Sequence, residues 1–180
     1  MKSLLPLRIE SARLIFRKPE LEDAQAFFDA YTSDPVVPKY MVWRPHTDVA
    51  EEVEFLKGCV SAWQDGSRFP YALALHEQEK NPIGMLDAIP KGHTIDIGYV
   101  LAREYWGRGF MPEAVEAFCK VALSLPEVFR VQATCDVDNI ASARTLEKSG
   151  FTREGRLERY TVHPNISSEP RPCFIYSRCR

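Results

Sequence analysis

The chain has 180 residues, of which 45% are hydrophobic, and a formal net charge of −2 at pH 7. This length suits one domain over residues 1–180, because domains commonly run to about 100 to 200 residues. The near-neutral charge excludes a strongly basic surface for nucleic acid or anionic membranes, so a polyanionic ligand has to bind at a local site.

The N-terminus and the cysteines predict where the protein works. The N-terminal segment MKSLLPLRIE has a short apolar run broken by Pro6 and Arg8, which is typical of neither a signal peptide nor a membrane span. The five cysteines lie far apart, with no Cys-x-x-Cys pair and no metal-site spacing to histidine, so they predict reduced thiols and no metal. We therefore expect a cytoplasmic protein without nucleic-acid or membrane partners, either a monomer or a homodimer.

The first part of the chain predicts a strand and two helices. Alternation of apolar residues in ARLIFRKP, residues 12–19, predicts a strand that ends at its proline. Apolar residues at helical spacing predict a helix over residues 20–33. An aromatic loop interrupted by prolines, residues 36–46, separates it from a second helix, which Thr47 is expected to cap and Gly66 to end.

The remainder predicts more strands than helices. Three short apolar segments predict an antiparallel meander over residues 69–77, 82–90 and 93–101. Two amphipathic helices are predicted over residues 113–122 and 139–149. Three further strands are predicted over residues 129–136, 156–163 and 173–178. Because strands and helices do not alternate strictly, the pattern predicts an α+β fold with a mostly antiparallel sheet.

The segment EYWGRGFMPEA, residues 104–114, places two glycines around an arginine directly before a helix. Gly107 and Gly109 leave their backbone amides uncovered, and a helix that starts near Pro112 adds unpaired amides and the positive end of its dipole. The segment therefore predicts an anion-binding cradle. A tight strand-to-helix turn would use the same glycines, and the motif alone leaves that alternative open.

A second motif, DNIASARTLEKSGF, spans residues 138–151. It places Asn139 at the start of a helix, with Ser142 and Arg144 in the first turns. Taken alone, Asn139 suits an N-cap, Ser142 a surface hydroxyl and Arg144 a solvated helix residue.

Together and in this order, the two motifs resemble the GNAT acetyltransferase superfamily, and specifically its RimJ/RimL-like branch. The resemblance runs from about Arg13 to Tyr176. It implies a GNAT-like fold, with a mixed but mostly antiparallel central sheet, helices on both faces and a splayed cofactor cleft. It also implies transfer of an acetyl group from acetyl-CoA to a primary amine, a peptide or protein N-terminal amine first of all, by direct attack in a ternary complex.

The resemblance assigns roles to the residues of both motifs. Backbone groups of residues 99–101, left unpaired by the splay, would hold the pantetheine arm. Amides of residues 108–111 would bind the pyrophosphate, and Ser142 would protonate the leaving thiolate. The family usually has a small residue where this chain has Met111. The implied cofactor-binding residues are Tyr99, Val100, Leu101, Gly107, Arg108, Gly109, Phe110, Met111, Asn139, Ser142 and Arg144.

The acceptor amine has to lose a proton before it attacks. At pH 7 this costs about 1.4 kcal/mol for an α-amine of pKa about 8, but about 4.6 kcal/mol for a lysine. The resemblance places the base at Asp96, which also suits an exposed strand position; Asp87 and Glu104 are poorer candidates, and His46 could serve if the aromatic loop folds over the site.

The expected walls of the acceptor site are the aromatic loop and the closing hairpin. The predicted substrate-binding residues are Tyr40, Trp43, His46 and Tyr160, with Arg44 and His163 nearby. This set is richer in aromatic and cationic groups than in carboxylates, which disfavours polyamines and favours a peptide N-terminus. The aromatic residues could instead pack only in the core. A small-molecule amine acetyltransferase and a noncatalytic CoA-binding module stay open as alternatives.

Overall fold

The computed structural model describes residues 4–180, which form one sheet flanked by four helices. The strands are β1 (Arg8–Glu10), β2 (Leu14–Arg17), β3 (Phe69–Leu75), β4 (Pro82–Lys91), β5 (Thr94–Leu101), β6 (Arg130–Asp136), β7 (Thr152–Thr161) and β8 (Arg171–Cys179). The helices are α1 (Ala24–Phe27), α2 (Val49–Asp65), α3 (Phe110–Ala122) and α4 (Ile140–Lys148). The strand order is β1-β2-β3-β4-β5-β6-β8-β7, and β5 with β6 is its parallel pair.

The helices cover both faces of this sheet. Helices α3 and α4 pack with the larger apolar cluster, which contains Phe118 and Leu146. Helices α1 and α2 pack with a smaller cluster on the other face, which contains Phe27 and Leu56. The predicted α+β architecture, with a mostly antiparallel sheet between helices, is confirmed.

Strands β5 and β6 separate after a short contact. Their pairing covers Thr94–Asp96 against Arg130–Gln132, whereas β5 stays paired with β4 as far as Leu101. Strand β6 pairs with β8 through to Asp136. The sheet therefore opens along one edge of β5, which confirms the predicted splay.

The local differences from the sequence prediction lie at element ends. Asp48, not Thr47, is the N-cap of α2, because its side chain accepts a hydrogen bond from the Ala50 amide while Thr47 donates to Glu51. The predicted first helix is irregular, with a 3₁₀ turn before α1 and a π turn over Phe28–Thr32 after it. Strand β1 was not predicted. Within residues 4–180, no helix has the length and apolar character needed to span a membrane.

Candidate active site

Two cavities meet beside the splayed end of β5. The larger one, about 480 Å³, lies between β5, α3 and α4, and we name it the cleft cavity. The smaller one, about 260 Å³, lies on the α1–α2 side, has Tyr31 and Trp43 among its walls, and is named the aromatic pocket. Both are lined by Met41, Tyr99 and Val100, so the two spaces share a wall.

The glycine segment forms one end of the cleft cavity. Gly107 and Gly109 adopt φ angles of +73° and +78°, in the left-handed region that favours glycine. Gly109 is the N-cap of α3 and has no side chain with which to cap the first amides of the helix. The tight turn that needs the glycines also aims the N-terminus of α3 at the cleft cavity, which is the geometry that an anion-binding cradle requires.

A hydrogen-bond network from the turn between β1 and β2 holds this segment in place. The carboxylate of Glu113 accepts hydrogen bonds from Ser11 Oγ (2.7 Å), Arg13 N (2.8 Å) and Arg13 Nε (2.6 Å). Arg13 Nη1 also donates to the Arg108 carbonyl oxygen (3.1 Å), and its guanidinium lies 4.1 Å from the centre of the Phe110 ring. Burial opposes ionisation of Glu113, but these hydrogen bonds lower its pKa, so the network is built around a charged carboxylate.

The charges around the cleft cavity suit an anionic ligand. All the predicted cofactor-binding residues except Arg108 line it, and Lys39, Arg144 and Lys148 contribute cations, with no carboxylate among the described lining residues. Arg108 lies over the Tyr105 ring instead, 5.9 Å from its centre. The side chain of Met111 packs in the core and therefore does not fill the cleft cavity.

Ser142 and Tyr99 meet where the two cavities share their wall. Their hydroxyl oxygens are 2.8 Å apart, and the Ser142 amide donates to Asn139 Oδ1 (3.2 Å), which makes Asn139 the N-cap of α4. Burial raises the pKa of Tyr99, so its phenol is protonated at neutral pH and can orient the serine hydroxyl. One prediction for this strand is corrected: the Leu101 carbonyl oxygen is not unpaired, since it accepts a 2.7 Å hydrogen bond from Trp106 Nε1.

The aromatic pocket contains more carboxylates than the sequence suggested. Trp43 and His46 line it as predicted. Glu52 from α2 and Asp87 from β4 line it too, with Arg68 between the helix and β3, although aromatic and cationic side chains still outnumber the two carboxylates. The remaining lining residues are mainly apolar and aromatic: Tyr31, Thr32, Met41, Val42, Phe55, Met85, Gly98, Tyr99 and Val100.

Both carboxylates of the aromatic pocket are poorly satisfied. Glu52 is 0% exposed, and its Oε2 lies 2.9 Å from His46 Nδ1, but neither of its oxygens makes a well-aligned hydrogen bond within the described chain. Burial raises the pKa of Glu52 despite the opposing effect of His46. Burial also raises the pKa of Asp87 to about 6, against the effect of Arg68, whose Nη1 lies 3.3 Å from Asp87 Oδ2.

A cavity lined by cations and by a helix N-terminus, next to a mainly apolar pocket with two carboxylates, suits transfer of a group from an anionic carrier. The sequence model of the acetyltransferase (GNAT) domain matches residues 13–152. The chain belongs to the GNAT acetyltransferase family. The protein named uncharacterized N-acetyltransferase p20 of Bacillus licheniformis is 31% identical over 150 residues, which cover 82% of this chain and 84% of that protein.

Solved GNAT structures share the fold over nearly the whole chain. A GNAT-family acetyltransferase from Bacillus anthracis aligns with a TM-score of 0.81 and 28% identity, covering 96% of this chain and 98% of that one. RimL, described as a ribosomal L7/L12 alpha-N-protein acetyltransferase in complex with coenzyme A, aligns with a TM-score of 0.84 and 20% identity, covering 96% and 97%. The protein is an N-acetyltransferase of this family.

Three predicted residues lie elsewhere in this GNAT domain. Tyr40 lines the cleft cavity, not the aromatic pocket, and its hydroxyl donates to the Asp138 carbonyl oxygen (3.1 Å). Tyr160 is 53% exposed on β7 and lines neither cavity. Asp96 lies on β5 before the splay, forms an ion pair with Lys91 and lines neither cavity.

The closing hairpin of the GNAT domain supports the aromatic loop from behind. Asn165 Nδ2 donates to the carbonyl oxygens of Pro38 (2.6 Å) and Trp43 (2.7 Å). His163 is buried against Asp136 and packs edge-on to the Tyr40 ring. This hairpin therefore positions the loop without lining the pocket itself. Among residues 4–180, no group of three His, Cys, Asp or Glu side chains is arranged to hold a metal ion.

Proposed function

We propose that the protein, acting as a single domain over residues 1–180, transfers the acetyl group of acetyl-CoA directly to a primary amine. One observation carries the proposal: the cleft cavity and the aromatic pocket share the wall formed by Tyr99 and Val100, with the Ser142 hydroxyl at their junction. A donor in one space and an acceptor in the other would meet there without a carrier residue.

The cleft cavity has the groups that coenzyme A requires. Amides at the start of α3 suit a pyrophosphate, and Lys39, Arg144 and Lys148 suit the remaining phosphate charge. The open edge of β5 suits the pantetheine arm, which carries amides able to pair with a strand. The related RimL structure is a complex with coenzyme A, and that ligand of a similar fold supports the same cofactor here.

Direct transfer is favoured over an acetylated enzyme. The amine nitrogen attacks the thioester carbonyl carbon, the C–N bond forms, and the C–S bond breaks with departure of the thiolate. Ser142 would supply the proton that the thiolate takes up, held in place by Tyr99. Cys135, the thiol beside Ser142, is a poor nucleophile because burial raises its pKa to about 11.

We further propose an α-amine at a peptide or protein N-terminus as the acceptor. An α-amine is easier to deprotonate than a lysine, and the apolar walls of the aromatic pocket can hold the first side chain. RimL is named for alpha-N-protein acetylation, which agrees with this choice. A small-molecule amine is a second candidate, because the pocket holds only about 260 Å³ and carries two carboxylates.

Release of free thiol from acetyl-CoA, measured with a panel of amines, tests the proposal. The panel contains a short peptide with a free N-terminus, an N-blocked peptide with a lysine, a small aromatic primary amine and spermidine. We expect the free N-terminal peptide to react fastest. Preference for the aromatic amine would favour the second candidate, preference for spermidine would contradict the proposed acceptor, and tight acetyl-CoA binding without turnover would indicate a noncatalytic module.

A further inference from the structure

We propose that Asp87 is the base that removes the proton from the acceptor ammonium in the aromatic pocket. This inference rests on the proposed acetyl transfer to an amine and names the residue that prepares the nucleophile. It replaces Asp96, which lies outside both cavities.

The position of Asp87 brings it beside the junction of the cavities. On β4 it pairs across the sheet with Gly98 of β5, the strand that lines both spaces. A Cβ atom placed on Gly98 would have no other atom within 4 Å, so the space in front of this pair is open. The next residues of β5, Tyr99 and Val100, form the shared wall. An amine held at Asp87 is therefore next to the place where the donor cavity opens.

The bonding of Asp87 leaves one oxygen available. Oδ2 faces Arg68 Nη1 at 3.3 Å, while Oδ1 is buried and has no hydrogen bond in the part of the chain that the structure describes. Buried carboxylate oxygens normally have partners, because an unsatisfied one costs stability. An ammonium group would supply the missing donor. Because Asp87 also lines the aromatic pocket, this oxygen can accept a hydrogen bond from a ligand of positive charge there.

The protonation of Asp87 matches the task. Its pKa of about 6 keeps it ionised at pH 7.5 and still makes it a stronger base than an exposed aspartate. The charged groups that share its surroundings are Arg68, which lowers its pKa, and Glu52 and His46 across the pocket. Glu52 is the poorer base, because its Oε2 faces His46.

The proposed step balances in protons and electrons. Asp87 Oδ1 takes one proton from R–NH₃⁺, and the nitrogen lone pair then attacks the thioester carbonyl carbon. When the C–S bond breaks, the second proton lost by nitrogen ends on sulfur, by way of Ser142. The products are the N-acetyl amine and CoA thiol, and the first proton leaves Asp87 for solvent before the next cycle.

Asp87→Asn tests this inference, since it keeps the size of the side chain and removes the base. With the best amine of the panel at pH 7, we expect the rate to fall by about 10² to 10⁴, the usual range for a general base. The acetyl-CoA dissociation constant should stay unchanged. The acid limb of the pH–rate profile, near pH 6 in the wild type, should disappear, and raising the pH should restore part of the rate because more amine is neutral in solution.

Two further variants keep the test decisive. Arg68→Gln removes the cation that lowers the pKa of Asp87, so the acid limb should move to higher pH. Asp96→Asn should keep the acid limb of the pH–rate profile. Asp87 is not the base if Asp87→Asn has a normal rate and an unaltered pH–rate profile. The same conclusion follows if the acid limb of that profile moves in neither Asp87→Asn nor Arg68→Gln. Acetyl transfer by the wild type would stand in both cases. A wild type that acetylates no amine would instead overturn the proposed function.

Discussion

The two cavities of this acetyltransferase are built in opposite ways. The cleft cavity depends on backbone conformation: two glycines at positive φ, the start of α3 and the open edge of β5, braced by a fully hydrogen-bonded Glu113. The aromatic pocket depends on side chains from separate elements, and both carboxylate oxygens of Glu52 and Oδ1 of Asp87 make no hydrogen bond within the described chain. In the proposed function, acetyl-CoA binds at the site made by the backbone and the acceptor amine binds in the pocket made by side chains.

This contrast predicts that substitutions in each cavity alter different measurable properties of the enzyme. Changes in the cleft cavity should alter acetyl-CoA affinity, whereas a change at the junction should alter the chemical step alone. In the aromatic pocket, removal of an unsatisfied charge should even favour folding. Three experiments follow, from the largest expected effect to the smallest.

Ser142→Ala tests the junction. We expect kcat to fall by about 10² to 10⁴ with little change in acetyl-CoA affinity, because the hydroxyl is needed only when the thiolate leaves. Tyr99→Phe keeps the ring that lines both cavities and removes the hydroxyl that orients Ser142, so its loss should be smaller. Steady-state kinetics with a direct measurement of acetyl-CoA binding provide the comparison. An unchanged kcat in Ser142→Ala would return this residue to the role of a helix-surface hydroxyl.

Gly109→Val tests the backbone character of the cleft cavity. Gly109 has a φ angle of +78° and Gly66, the C-cap of α2, one of +73°, so valine at either position brings strain of about 1 to 3 kcal/mol. Only Gly109→Val should weaken acetyl-CoA binding, by about 10- to 100-fold, the equivalent of losing one charge-assisted hydrogen bond. Thermal melting and calorimetric titration of both variants measure the two effects. Equal affinities in the two variants would mean that the segment is only a tight turn.

Glu113→Gln and Glu52→Gln should change stability in opposite directions at pH 7.5. The lowered pKa of Glu113 means that its charge stabilises the fold above its unfolded pKa of about 4.3 and that this contribution is lost as the pH falls. We expect Glu113→Gln to cost about 1 to 2 kcal/mol, or about 2 to 4 °C in Tm for each kcal/mol.

The raised pKa of Glu52 has the opposite effect on the pH dependence of stability. Its native form prefers the proton, so the folded state is penalised as the pH rises above about 4.3, and Glu52→Gln should keep or raise Tm at pH 7.5. Melting curves at pH 4.5 and pH 7.5 should show the two variants converging at the lower pH. A lower Tm for both variants at pH 7.5 would refute the contrast between the cavities.

Part of the lining of the cleft cavity could be named from sequence because each of its two motifs is contiguous in the chain. Residues 104–114 and 138–151 each carry a loop and a helix start whose local geometry follows from their residue types. Even here the hydrogen-bond network around Glu113 was not predicted, since Arg13 and Glu113 are a hundred positions apart in the chain. Local patterns carry no information on such a contact.

The aromatic pocket was harder because it gathers distant residues. Two signals were nevertheless present: Glu52 shares a helix face with the buried Leu56 and Cys59, and Asp87 interrupts an apolar strand. A charge on a buried face is a candidate functional group. Tyr160 was misplaced for a different reason, since β7 shifts register between Leu157 and Thr161, and side-chain direction beyond a bulge cannot be read by alternation.

The splay of β5 also bears on aggregation. An unpaired strand edge at the rim of a sheet is a template on which another protein molecule can add a strand. Here the open edge begins inside the sheet, where β5 and β6 are still joined at Thr94–Asp96, and it faces a cleft whose far side is β6 paired to β8. A slender extended ligand fits such a gap more easily than a polypeptide strand with its side chains. The fold can thus keep a hydrogen-bonding edge available to the proposed cofactor while shielding that edge from other copies of the chain.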